Sequence, residues 1–567
     1  MNAAKITRTI LAALLLTPLA AVAAQPPPFS FDAPPGPQFT DAERQTQRDR
    51  GTGVVPLVRK AFESGAESVA IPPGDYRFGM ERWGRDGVIH PLEFSDLKRD
   101  DDRPFTIDAS GATFWFDLPD DQAPTCHFCI GFKDCRNIIL KGATIDRATR
   151  GHVEGRIIRI DFANNRIELQ LSRGITVPAA FNDKLEQRVI PFKAGGTFCA
   201  PLYALQAGGV HLKYQRISPA TADGCCWVTM GDTKLLDTIR DTGLLRVGDG
   251  LSCVYTVTSA LDLVRSDRLT MDGVRVYAAK AWGAEYGGHG AHVWKNCYFG
   301  PRPGTSQWQG GEGFMFNATR HGTTLDGVVI RHTTDDIANF HGYWGHIEGL
   351  ADNRVTFARS GEFDGTVLRD ALPGDRLLFR DRNTGRQLGE ARVVGTEENV
   401  VVADRPVAGF TNAIAEWPDH SCAGWKVLRC DFQDNYQRLL IQSGPGTVSD
   451  CLFARQGQGI EINSDFPFVE GGVARDITIT GNTFVDVSPQ PGGAAVSMHA
   501  HTYDGAAPPF SNIVITGNTF IRPGSAAIRL DSFNGGVIAE NRFEQTAKPP
   551  IELKRCSGIR EENNQQP

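Results

Sequence analysis

The sequence predicts an all-β fold in which short strands wind into a parallel β-helix, interrupted by two small inserted β-modules. Three observations carry this. A phrase repeats in the C-terminal third: Ile477-Thr-Ile-Thr-Gly481-Asn482-Thr483-Phe484 returns as Ile513-Val-Ile-Thr-Gly517-Asn518-Thr519-Phe520, then as Val537-Ile-Ala-Glu-Asn541-Arg-Phe543. Related alternating phrases stand at Ile138–Ile145, Leu269–Val276, Val328–Thr333, Val427–Phe432 and Val448–Phe453, and apolar/polar alternation marks a half-buried strand. The composition is turn-rich: the 567 residues include 61 Gly and 33 Pro, with 41% hydrophobic and 22% charged residues, which excludes both a disordered chain and a membrane bundle. Phe432 to Phe453 is 21 residues and Asn518 to Asn541 is 23, so one coil takes about two dozen residues. A single coil cannot bury its apolar face, but parallel strands stacked ~4.8 Å apart make a continuous core.

The elements follow in order. Residues 1–24 read as a secretory leader, with Lys5 and Arg8 before the apolar run Ile10–Leu19 and Ala21-Val22-Ala23 as the cleavage site. The chain is thus expected to be exported, to the periplasm or beyond the cell. Residues 25–154 hold a short amphipathic helix over Pro56–Ser64 and the first coils. Val69-Ala-Ile-Pro-Pro-Gly74-Asp-Tyr76 resembles the opening of pectin-lyase-type β-helices, where a helix covers the first coil's open end. Residues 155–249 and 351–421 break the coil rhythm and are expected to be the inserted modules. Residues 250–350 and 422–556 resume the coils, and 557–567 is expected to be a mobile tail. Asn482, Asn518 and Asn541 fall at matching turns, where an amide tolerates left-handed backbone and bonds its neighbours.

The formal net charge of −7 disfavours nucleic acid, and no stretch after the leader reaches ~18 uninterrupted apolar residues, so no membrane span is expected. Twelve cysteines in an exported chain predict structural thiols or disulfides. Cys126-x-x-Cys129 lacks a second half, and neither a metal nor a cofactor is expected. The sequence leaves a homodimer open.

On a β-helix, residues one coil apart stand side by side. Glu312, in Gly310-Gly-Glu-Gly-Phe-Met-Phe316, lies 23 residues before Asp335, in Asp335-Asp336-Ile-Ala-Asn339-Phe-His341-Gly342. Three carboxylates then crowd one patch, and like charges that close split their pKa values into an acid and a base, as glycosidic hydrolysis requires. Alternation sends Asn339 and His341 outward, Ala338 and Phe340 into the core, and a turn at Asp335-Asp336 presents both acids. Trp308, Tyr343 and Trp344 offer rings for a sugar, Arg320 follows Glu312, and Gln442 and Asp465 fall on later rungs of the same region.

These residues resemble glycoside hydrolase family 110, exo-acting α-galactosidases on a right-handed parallel β-helix with inserted barrel modules. The likeness rests on the Asp335-Asp336-x-x-Asn339-x-His341-Gly342 phrase, on Glu312-Gly313 one coil earlier, and on the Arg438–Gln442 rung, the Asp465–Gly472 loop and both insert positions. It implies removal of a terminal α-1,3-linked galactose with inversion, Asp335 as general acid, Glu312 and Asp336 orienting the water, and His341 at the substrate. The family's usual residue at 312 is aspartate; glutamate reaches one methylene further. Two other readings remain: a polysaccharide lyase or epimerase using Arg320 or His321, and a non-catalytic carbohydrate-binding surface protein.

Overall fold

The computed structural model describes residues 29–33, 36–79, 90–100, 102–117, 127–147, 152–177, 188–199, 212–254, 258–277, 283–305, 311, 313–359, 367–465, 470–488, 493–501, 510–546 and 549–566. The leader, Cys126, Trp308 and Glu312 lie outside them. The repeated phrase folds as its alternation demands. Three long parallel sheets of twelve, eleven and eleven strands, here A, B and C in the order each coil visits them, wrap one core into a right-handed β-helix. Pairing sets Ile477 opposite Ile513 and Ile479 opposite Ile515 on sheet A, and all four side chains are buried. On sheet B the phenylalanine that closes each phrase packs on that of the next coil, edge-on between Phe432 and Phe453 and stacked from Phe453 onward. From Phe432 through Phe453, Phe484 and Phe520 to Phe543, ring centroids lie between 4.8 and 5.4 Å apart. The spacing is the strand spacing itself, so the rings stack at no cost in register.

The sharp corner between sheets A and B shows why the asparagines recur. The left-handed residue is not the asparagine but its predecessor: Gly481, Gly517, Glu540 and Asn563 have φ of 65°, 66°, 56° and 53°. That bend turns Asn482, Asn518, Asn541 and Asn564 inward, where each Nδ2 of the first three donates to the Oδ1 of the next at 3.0 Å. Upstream the same position is Cys430 and Cys451. Their sulfurs bond carbonyls two residues back, at Leu428 and Ser449, and in the neighbouring coil, at Leu325 and Val427. The eleven described cysteines are free thiols, ten of them buried, so the expected disulfides are absent among the described residues. A small buried side chain is what these positions use.

Two helices, α1 (Asp41–Thr52) and α2 (Val54–Glu63), close the first coil, with Val54 and Val58 joining the solenoid core. A Thr40–Glu43 capping box starts α1. At the other end the expected tail pairs as a strand, Ser557–Glu562, on sheet A. Its polar composition suits an edge strand, and Asn564 continues the amide column.

The inserts leave the solenoid at opposite edges of sheet C. The first spans strands His152–Asp161 to Gly250–Val254 at the B–C corner, a six-stranded antiparallel sheet whose edges meet through a single Arg188–Lys213 bridge. The second, Trp344–Ala351 to Ala413–Glu416, is a closed six-stranded barrel at the C–A corner. The barrel thus begins seven residues before the expected boundary at 351. Sheet C crosses the excursion without losing register, since Ala338 pairs with Leu439.

Candidate active site

The outer face of sheet C lies between the two inserts. Five of its strands concern the site: β1 (Phe314–Asn317), β2 (Ala338–His341), β3 (Leu439–Gln442), β4 (Ile460–Asp465) and β5 (Ala494–His501). Register aligns Met315, Asn339, Leu440, Glu461 and Ser497 in one row, and Asn317, His341 and Gln442 in the next. Ala338 and Phe340 face the core, as alternation predicts. Gln442 Nε2 donates to Asn463 Oδ1 at 2.8 Å, and Asn463 Nδ2 to Glu461 Oε1 at 2.8 Å.

Just before β2 the chain bends and presents two adjacent acids to different surroundings. Asp335 is the more accessible. Arg188, reaching over from the first insert, meets its Oδ2 at 3.0 Å, and Gln437 Nε2 donates to its Oδ1 at 2.8 Å. Asp336 is 6% exposed, and Arg438 Nε approaches its Oδ1 at 3.1 Å. Burial pushes the Asp336 carboxyl well above the ordinary carboxylate range; the Arg438 cation pulls against this, and the charges of Asp335, Glu461 and Glu470 add to the rise. Arg438 also reaches Glu461 Oε2 at 3.0 Å, and His499 Nε2 lies 3.5 Å from Glu461 Oε1.

Glu470 completes the cluster from the loop after β4. Asn339 Nδ2 donates to its Oε2 at 3.3 Å, and its backbone bridges that of Tyr343. Gly471, next to it, has φ of 144°, and a Cβ there would come within 2.4 Å of Trp344 Nε1. Only glycine lets the loop pass over the indole and deliver Glu470.

The expected site residues divide accordingly. Asp335, Asp336 and Asn339 come together, with His341 and Gln442 in the adjoining row. His341 is buried and donates through Nδ1 to Gly342 O at 2.8 Å. Gly313 N donates to Asp336 O at 2.7 Å, so the chain next to Glu312 runs beside the acid pair; Glu312 and Trp308 themselves lie outside the described residues, as does the side chain of Asp465. Three expectations are corrected. Trp344 is fully buried in the solenoid core and braces the Glu470 loop. Tyr343 packs into the barrel core, its ring edge-on to His341 at 5.0 Å. Both misplacements have one cause, since the chain leaves the coil directly after His341. Arg320 forms a two-pronged pair with Asp375, at 2.8 and 2.7 Å, that ties the coil to the barrel. It is spent on structure, which leaves His321 as the base open to a lyase reading.

Sequence reasoning missed Glu461, Glu470, Arg188 and Arg438 as site residues. Glu461 had a usable signal, because it lies 23 residues after Arg438, the same interval that singled out Glu312 and Asp335. Arg188 had none, being delivered by an insert.

Three buried amide oxygens on this face, Asn317 Oδ1, Asn339 Oδ1 and Gln442 Oε1, have no hydrogen-bond partner among the described residues. Unmet acceptors of this kind are what hydroxyl donors of a ligand satisfy. No group of three or more His, Cys, Asp or Glu side chains is arranged to hold a metal ion among the described residues.

No curated protein matches the chain. Among solved structures it is similar to a family 28 exopolygalacturonase of Yersinia enterocolitica (11% identity, 88% of this chain and 74% of that one, TM-score 0.32). It is also similar to PfbA, a surface adhesin of Streptococcus pneumoniae (9%, 92% and 88%, 0.34). A third likeness is the tailspike protein of E. coli bacteriophage HK620 in complex with pentasaccharide (11%, 93% and 62%, 0.32). Residues 419–565 match the family described as right handed beta helix region, in agreement with the parallel coils found there.

Proposed function

We propose that the protein is an exported glycoside hydrolase that removes a terminal α-linked sugar, α-1,3-linked galactose being the first candidate, with inversion at the anomeric carbon. The observation that supports it is the unequal environment of two adjacent carboxyls: Asp336 buried among acids and poised to keep a proton, Asp335 partly exposed and held against the Arg188 cation. A pair divided in this way supplies one proton donor and one carboxylate from a single bend, which is the requirement of acid–base glycoside hydrolysis. The family resemblance gives the acid to Asp335, whereas the surroundings favour a retained proton on Asp336; Glu312 is the third carboxylate proposed for the water. The unmet amide oxygens of Asn317, Asn339 and Gln442 suit a hydroxyl-rich ligand.

The test is a screen of nitrophenyl glycosides and α-galactosyl oligosaccharides, with NMR of the first-formed anomer. Turnover with inverted configuration supports the reading; absence of turnover across the panel, or absorbance at 235 nm on uronate polymers, overturns it. Asp335→Asn and Asp336→Asn then divide the roles. The variant lacking the acid keeps activity on a dinitrophenyl glycoside, whose leaving group needs no proton, and the variant lacking the base is rescued by azide.

A further inference from the structure

The following rests on the reading of the acid cluster given above. Arg438 enters β3, on the coil between the one that carries Asp336 and the one that carries Glu461. Its Nε is 3.1 Å from Asp336 Oδ1 and its Nη1 is 3.0 Å from Glu461 Oε2, with Gln458 Oε1 at 3.2 Å from the same Nη1. Every strand around it contributes charge. Asp336 faces Asp335 on its own bend, Glu461 on β4 and Glu470 from the following loop; Arg188 stands behind Asp335, and His499 on β5 stands behind Glu461. Four carboxylates therefore meet two arginines, and Arg188 is engaged with the outermost acid.

We infer that Arg438 is a positioning residue for the acid pair, a single guanidinium divided between Asp336 and Glu461 across three successive coils. Its planar fork holds two carboxylates that belong to different rungs, a task that the compact ammonium of lysine does less well. Its charge is also shared. Removing the cation leaves Asp336 among like charges, whereas removing Glu461 takes away a like charge and leaves Arg438 to Asp336 alone. The two losses act on the proton affinity of Asp336 in opposite directions, which a residue serving only to hold the fold would not do.

The experiment measures two pH profiles of the full chain. One is kcat/KM on whichever nitrophenyl glycoside the wild-type protein turns over. The other is thermal unfolding between pH 4 and pH 8 without substrate. Arg438→Met is expected to move the limb that depends on Asp336 upward by about one pH unit or more, and Glu461→Gln to move it downward, with Arg438→Lys in between wild type and Arg438→Met. In unfolding, a carboxyl whose folded state holds its proton more tightly than the unfolded chain loses stability as pH rises. Tm should therefore fall more steeply with pH in Arg438→Met than in wild type, and less steeply in Glu461→Gln. Shifts of both variants in the same direction, or no shift in either, overturn the assignment. If Arg438→Met does not fold, Arg438→Lys carries the comparison. A wild-type protein that cleaves no glycoside overturns the hydrolase reading, and the unfolding arm still decides the role of Arg438.

Discussion

At the A–B corner buried amides stand at coil spacing, on the outer face of sheet C they fall in two adjoining rows, and the two sets are spent differently. Asn482, Asn518 and Asn541 give each Nδ2 to the next coil's Oδ1 and accept a backbone N–H as well, Asn518 Oδ1 from Asn482 N at 2.9 Å and Asn541 Oδ1 from Asn518 N at 3.0 Å. Asn317, Asn339 and Gln442 are no more than 4% exposed, yet each keeps a carbonyl oxygen that no described group meets. The first set is closed on itself and can only hold coils together. The second retains capacity for a ligand, at the place where the acids gather. Burial alone therefore does not separate the two sets; the use of their hydrogen-bonding capacity does.

Breaking the contrast from the functional side gives the largest effect. Asp336→Asn should lower kcat by about 10³-fold, the scale of a lost acid or base, while leaving Tm unchanged or raised; comparable loss of both would mean that the acid serves the fold. From the structural side, Asn518→Ala removes the acceptor of two donors, Asn482 N and Nδ2, and takes from Asn541 Oδ1 one of its two donors. Buried groups left unmade cost about 1–3 kcal/mol each, so urea unfolding should show a loss of about 3 kcal/mol with kcat/KM at low temperature preserved. Gln442→Leu sharpens the difference, because it deletes an amide from the open set. We expect kcat/KM to fall by about tenfold or more, with stability lowered only by the about 1–3 kcal/mol of the lost Asn463 Oδ1 contact, and a variant more destabilised than this but fully active would move Gln442 into the structural class.

The smallest expected effect concerns a carboxyl that faces the core of the same sheet. Glu285 is fully buried, bonded by Trp294 Nε1 at 3.2 Å and by Thr323 Oγ1 at 2.5 Å, and burial pushes its pKa up from 4.5 to about 8. The folded protein then holds a proton that the unfolded chain releases above about pH 4.5, so this stabilising contribution is complete below that pH and is lost as pH rises through 8. Glu285→Gln keeps the hydrogen bonds without the titration. Its Tm should exceed wild type by about 2 °C at pH 8 and match it at pH 4, and equal Tm at both would show that Glu285 does not titrate in the core.

Much of the solenoid was legible because its signal is local and repeated. The Ile-x-Ile-Thr-Gly-Asn-x-Phe phrase encodes two inward isoleucines, a left-handed corner, an inward amide and a stacked ring, and each of these appears in the structure. The place of Asp335 and Asp336 beside sheet C follows from the same repeat, while Glu312, whose spacing singled them out, lies outside the described residues. What was not legible depends on where the chain leaves the coil. Tyr343 and Trp344 follow His341 without interruption in sequence, but the excursion starts there and carries both rings into packed cores. Arg320 looked available because its partner Asp375 lies on the barrel, and Arg188 was invisible because an insert brings it. Contacts made between modules leave no periodic trace.

The barrel departs after His341 and rejoins before Trp425, so Asp336 and Arg438 become neighbours only when that long detour has closed. Closing a detour costs entropy that grows slowly, about 0.6 kcal/mol for each doubling of its length, so the penalty is tolerable, but it must be met before the charged rung exists. The repeating blocks on either side need no such closure for their own stacking. During synthesis the upstream coils can wind first, while the charged corner waits for the downstream block to dock, and a chain interrupted in the barrel would carry its aspartates without the arginine that faces them in the folded protein.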